Sequence, residues 1–322
     1  MNNVLAPIVL FVYNRPSHTE QTLRSLAANE QASQSTLYIY CDGYKENASD
    51  ETIENIHAVR RIVKAKQWCK EVLIIESEKN KGLALSIKTG VSEVIEKHGR
   101  VIVMEDDLVT SPVFLNFMNQ SLNYYNNRKS VFSIGGYTMP PTMMQIPNDY
   151  EYDVFVCLRN ESWGWATWDD RWNQVDWNVA DYQSMLNNKQ MQEAFNRGGD
   201  DVFEMLQMQQ NGKLNIWSIQ FTMAHFMNHS VSIVPTHSYV DNVGLDGSGE
   251  NCGTSLSLRN DSLCVNENIR FLDILYEDKR IINAFYSANC SMKRPLWKKL
   301  VNRLSRLIGK KKVFVIKKKI YS

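Results

Sequence analysis

Residues 7–16 read PIVLFVYNRP, and the fold class turns on them. From Pro7 to Tyr13 the chain is apolar and rich in branched side chains without alternating, the pattern of a strand buried on both faces of a parallel sheet. Pro16 suits a first helical turn, Ser17 and Glu20 have capping-box spacing, and Thr22, Leu23, Leu26 and Ala27 continue at helical period. Working outward, the alternation repeats. The spacing predicts strands over 37–41, 72–75 and 101–104, and helices over 50–68, 83–97 and 112–126. Strict alternation implies right-handed crossovers and helices on both faces of a Rossmann-like, mostly parallel sheet. Beyond about Val131 the pattern loosens into an irregular stretch, a strand over 153–158 and a Trp-rich block. Helices near 182–196, 201–210 and 216–227, a strand over 231–234 and a glycine-rich loop over 241–249 follow.

Composition narrows the classes. A 322-residue chain with 43% hydrophobic content buries a large core, which excludes wholesale disorder. The net charge of +1 hides segregation: residues 291–322 carry twelve Lys and Arg and no acid, leaving 24 basic against 35 acidic groups in residues 1–290. The six cysteines form no CxxC pair, so a reducing, cytosolic setting is expected. The apolar N-terminal run ends at Asn14, too short for a signal peptide or a membrane span.

In parallel sheets ligands bind beyond the carboxyl ends of the strands. Here those ends carry Asn14-Arg15, Asp42-Gly43, the loop 77–82 and Glu105-Asp106-Asp107. Three adjacent carboxylates repel one another unless a cation or donors compensate them, and oxygen-only ligands beside a phosphate suit Mg2+ or Mn2+. A solvated acidic turn ahead of the helix at Pro112 explains the same triplet without a metal. No G-x-G-x-x-G, Walker loop, H-E-x-x-H or G-x-S-x-G is present.

PIVLFVYNRP at 7–16, YCDG at 40–43, VIVMEDDLVTSPVF at 101–114 and ESWGWATWDDRW at 161–172 together resemble the GT-A fold nucleotide-sugar glycosyltransferases. The likeness is to the Glu-Asp-Asp motif N-acetylglucosaminyltransferases and to bacterial surface-polysaccharide sugar transferases. It implies a GT-A domain over 1–290, with a nucleotide-sugar half over 1–130 and an acceptor-side half over 131–290. It also implies an inverting, Mn2+- or Mg2+-dependent hexosyl transfer from a UDP-sugar to a saccharide or lipid-linked glycan, in surface polysaccharide or lipopolysaccharide synthesis. Asp107 is then assigned to the metal, Glu105 and Asp106 to donor hydroxyls, Asp42 to the uracil edge and Arg15 to the nucleotide pocket. Each has a plainer reading: an Asx turn at Asp42 and a solvated loop arginine at Arg15.

Trp163, beside Gly164, is a candidate sugar-facing ring. Trp165, Trp168 and Trp172 have helical spacing and read as core. Asp169-Asp170-Arg171 reads as a salt-bridged helix face, yet Asp170 also matches the acid after a tryptophan that the relatives use as base. By distance from the metal motif the base position falls on Trp217-Ser218, and serine is no base at neutral pH. The catalytic base is therefore assigned to Asp246 in the glycine-rich loop or to Asp170, with Asp241 a further possibility. His225 and His229, four residues apart on a helix, are a weak metal pair lacking a third ligand.

The tail places Trp297, Leu300, Val301, Leu304, Leu307 and Ile308 on one helical face with Lys and Arg on the other. Such a basic amphipathic helix suits an anionic membrane surface, which would make the chain a cytoplasmic protein peripheral on the inner face of the membrane; a terminal helix packed on the domain with solvated lysines fits the same pattern. Nucleic acid is not expected without a binding module. Two other classes fit less well: a non-catalytic sugar-nucleotide or glycan-binding protein, and a nucleotidyltransferase, which lacks here a basic glycine-rich loop after strand one.

Overall fold

The computed structural model describes residues 5–248 and 256–291. The basic tail after Ser291 lies outside the described residues, as does Gly249 of the glycine-rich loop. In chain order the strands are β1 Ile8–Val12, β2 Thr36–Cys41, β3 Glu71–Glu76, β4 Arg100–Glu105, β5 Leu108–Thr110, β6 Val131–Gly135, β7 Val154–Cys157, β8 Trp165–Trp168, β9 Val231–Pro235 and β10 Val240–Asn242. The helices are α1 Pro16–Ala27, α2 Asp50–Lys64, α3 Leu83–His98, α4 Phe114–Tyr124, α5 Asp169–Trp172, α6 Tyr182–Leu186, α7 Lys189–Phe195, α8 Val202–Gln210, α9 Ser218–Met227 and α10 Lys279–Ser291.

Eight strands form one sheet in the order β3-β2-β1-β4-β8-β6-β9-β7. Only β8 and β7 run against the rest. This is the α/β, mostly parallel architecture that the sequence predicts, and the loosened stretch after Val131 completes the same sheet. Side-chain alternation divides the core between its faces: Ile8, Leu10, Val12, Ile102 and Met104 pack on one side, Val9, Phe11, Val101 and Val103 on the other.

Local chemistry sets the element ends, with some departures from expectation. Pro16 opens α1, but Ser17 does not cap it; the residue before the helix is Arg15, and Glu20 pairs with Arg24 one turn on. Ser49 caps α2 by accepting from the Thr52 amide at 3.2 Å. That helix stops at Lys64, because the chain folds back and the Trp68 indole donates to the Val63 carbonyl at 3.1 Å. Gly99, at φ 73°, ends α3 in the left-handed conformation that other residues resist.

The tryptophan block also departs from its predicted form. Trp165 and Trp168 lie in a strand and point to opposite faces, Trp165 stacking on Trp217 with centroids 4.7 Å apart. They are core, as expected, but at strand period. β10 pairs antiparallel with β5, outside the main sheet, and so carries residues 240–248 over the end of β4.

Candidate active site

The chain visits β1, β2 and β3 on one side and then returns to lay β4 against the other side of β1. The carboxyl edge between β1 and β4 is therefore a topological switch point, where the outgoing loops diverge and leave a crevice. A cleft enclosing about 870 Å³, open solvent included, lies there. Arg15, Asp42, Glu105, Asp106, Asp107 and Trp163 all line it, so the structure brings together six sequence candidates.

The carboxylate triplet is compensated by an arginine. Arg15 Nη2 bonds Asp106, and it reaches Asp107 Oδ2 at 2.9 Å. Asp106 also accepts from the Tyr13 amide at 3.3 Å. Burial alone would depress Arg15, but the two aspartates hold it raised. Glu105 takes no hydrogen bond from Arg15, whose charge pulls its carboxyl down less than its surroundings push it up. Burial, then Asp107 and Asp106, push its carboxyl up to about 8. Burial likewise raises Asp106 against the pull of Arg15.

Four buried polar atoms on the cleft residues have no protein partner: Glu105 Oε1, Arg15 Nη1, Trp163 Nε1 and Asn242 Nδ2. Each would cost about 1–3 kcal/mol if left unsatisfied, so the set fits a polar ligand carrying both donors and acceptors. Asn242 escapes sequence reasoning because only the β5–β10 pairing places it here.

Asp42 is fully engaged. Its Oδ1 accepts from the Gly43 and Lys81 amides at 2.9 and 2.8 Å, and its Oδ2 from the Gly82 amide and Asn80 Nδ2 at 2.9 and 3.0 Å. A carboxylate offers about four lone-pair sites, so none is left for a uracil edge. Asp42 braces the 79–82 loop instead. Phe11 and Tyr40, stacked at 5.4 Å, supply a flat aromatic wall.

The expected bases fare differently. Asp246 sits at the rim, 48% exposed, accepting from the Ser248 amide at 2.8 Å and facing His18 at 3.2 Å. The Ser248 contacts hold its carboxyl below the usual range. Asp241 is bound to Arg259 at 2.6 Å. Asp170 is not in the site. β8 runs against β4, and its last residue Trp168 pairs with Arg100, the first of β4. Asp170 therefore lies at the opposite sheet edge, roughly 17 Å from Glu105 at about 3.3 Å per residue. There it pairs with Lys129 and with buried Arg171, whose guanidinium also donates to the Val131 and Asn126 carbonyls. The salt-bridged reading of that segment holds, and the catalytic one does not.

His225 is buried and bonded to the Phe221 carbonyl, at 2.7 Å, and to Ser133 Oγ, at 2.9 Å. Burial depresses it to about 4, so it is a neutral core residue. Among the described residues no group of three or more His, Cys, Asp or Glu is arranged to hold a metal ion, which removes the His225–His229 pair. At the triplet the donor chemistry suits Mg2+ or Mn2+, but Arg15 already holds Asp106 and Asp107. The residues fit a cation that draws most of its oxygens from a diphosphate and water, and not one held by protein alone.

No protein-family model matches the chain, and no curated protein matches it. Among solved structures, the fold is similar to residues 1–349 of S. aureus TarS at 12% identity and a TM-score of 0.35, covering 73% of this chain and 59% of that one. Mouse xyloside xylosyltransferase 1 aligns at 9% identity and a TM-score of 0.36, covering 70% and 83%. UDP-glucose pyrophosphorylase solved with UDP-glucose aligns at 13% identity and a TM-score of 0.38, covering 74% and 94%. The chain thus spans 59% of the TarS fragment. Likeness at this level carries neither a site nor an activity across to this chain.

Proposed function

We propose that this protein is a glycosyltransferase that takes a sugar from a nucleotide diphosphate, a UDP-sugar, and passes it to a saccharide. The observation that carries the reading is the cleft at the β1–β4 switch point, walled by four buried and unpartnered polar atoms of mixed donor and acceptor character. The aromatic wall of Phe11 and Tyr40 suits a flat base. Glu105 Oε1 and the Asn242 amide suit ribose or sugar hydroxyls, and the free Nη1 of Arg15 suits a phosphate oxygen. Arg15 holds Asp106 and Asp107 in place at the strand end by bonding both. Asp107 would be the protein ligand of a bound Mg2+ or Mn2+, which would supply charge stabilisation to the leaving diphosphate.

The products test the reading. A UDP-sugar incubated with protein, metal and an acceptor glycan should release UDP. Pyrophosphate-dependent formation of UTP would identify a nucleotidyltransferase, and tight UDP-sugar binding without UDP release a binding protein. For the tail we propose membrane attachment through the basic segment 291–322. It is checked by whether the full chain sediments with anionic vesicles more than a chain ending at Ser291. Among the described residues, no helix is long and apolar enough to cross a membrane.

A further inference from the structure

A second pocket, enclosing about 660 Å³ with open solvent included, shares Trp163 with the cleft. It too belongs to the carboxyl edge. β8 starts at Trp165, paired with Val103 near the end of β4 and with Gly135 at the end of β6, so the 159–164 segment feeding β8 runs along that edge. Glu161 stands on this segment. A Cβ on Gly135 would lie 2.6 Å from the Glu161 Cβ, so glycine makes the room the glutamate needs. Beside it, Asn160 Nδ2 is buried without a partner, as is Trp163 Nε1. Tyr137 and Phe285 add aromatic faces, and Ser218, where the sequence offered no base, lines the same cavity. The orphan Asn160 donor, the aromatic walls and one carboxylate suit a neutral polyhydroxylated ring.

Resting on the glycosyltransferase reading, we infer that this cavity seats the acceptor saccharide and that Glu161 is the catalytic base. The acceptor O–H bond breaks and its proton passes to a Glu161 oxygen. The acceptor oxygen forms its bond to the anomeric carbon as the bond from that carbon to the phosphate oxygen breaks, and the electron pair leaves with the nucleoside diphosphate. The environment suits a base better than the rim does. Burial pushes the Glu161 carboxyl up to about 7, against the opposing Arg159 and the Ser162 and Trp163 amides. The other titratable groups facing it are Tyr137 and Cys157, both raised by burial first and then by its charge. Arg159 is shared with Asp201 at 3.2 Å.

The full chain is assayed for UDP release from UDP-glucose, UDP-galactose and UDP-N-acetylglucosamine, with and without a panel of methyl glycosides. The wild type should release UDP faster with acceptor, and Glu161→Gln should lower that rate by about 10²–10⁴-fold with UDP affinity within twofold. The wild-type kcat/KM should fall below an apparent pKa near 7, and Glu161→Asp should keep part of the rate while displacing that limb. Full acceptor-stimulated turnover in Glu161→Gln overturns the assignment. So does an equal loss of UDP affinity and rate, which marks a structural role. A wild type that releases no UDP from any donor overturns the parent reading, and this inference with it, before any variant is needed.

Discussion

The two cavities share the Trp163 wall and little else. The β1–β4 cleft holds, beside Asp42, three adjacent carboxylates and offsets their repulsion by laying Arg15 across two of them. The neighbouring cavity holds Glu161 with Arg159 already turned to Asp201, so burial dominates its chemistry. A cluster fixed by an arginine across two of its members suits binding. A lone carboxyl held near neutrality suits proton transfer.

The largest effect should come from removing the compensation. Arg15→Met strands Asp106 and Asp107, both about 95% buried, and should lower the unfolding free energy by about 3–5 kcal/mol in urea melts. Arg159→Met, with one partner instead of two, should cost less than half of that. Equal costs would dissolve the contrast between the cavities.

Glu161→Gln sharpens it next. A carboxyl raised from 4.5 to about 7 in the folded state contributes no penalty below pH 4.5, loses stability as pH rises toward 7, and levels off above. The amide variant should therefore match the wild type at pH 4.5 and exceed it at pH 8, by about 3 kcal/mol at most. A pH-independent difference between the two melts would show that burial does not strain this carboxylate.

Asp107→Ala bears on the cleft alone. It should cost about tenfold in Mn2+-dependent UDP affinity by calorimetry, near 1.4 kcal/mol, while metal-free UDP binding changes little. Unaltered coupling to Mn2+ would move the cation away from Asp107. The smallest effect on turnover belongs to the far edge of the sheet: Asp170→Asn removes the acid from exposed Lys129 and from buried Arg171, which keeps its backbone acceptors, and should leave turnover within twofold. A dead but folded Asp170→Asn would contradict the strand register that excludes it.

The strand–helix alternation, the buried first strand and the residues at the strand ends were legible in the sequence, because hydrophobic period and helix-start chemistry act over a few neighbours. Arg15, Asp42, Glu105, Asp106 and Asp107 were found at the strand ends and Trp163 in the tryptophan-rich block, and all line one cleft. Their roles were decided elsewhere. Asp42 spends its lone pairs on amides 38 to 40 residues away, in the 79–82 loop. Arg15 meets Asp106 across 91 residues. Asp170 was drawn in by its tryptophan neighbour and removed by an antiparallel pairing. Glu161 sat within a quoted motif without distinction, since an isolated glutamate carries no periodic signal. Only the tertiary structure buried it beside a second cavity, because desolvation and charge compensation depend on which distant segments close around a group, and no local pattern encodes that.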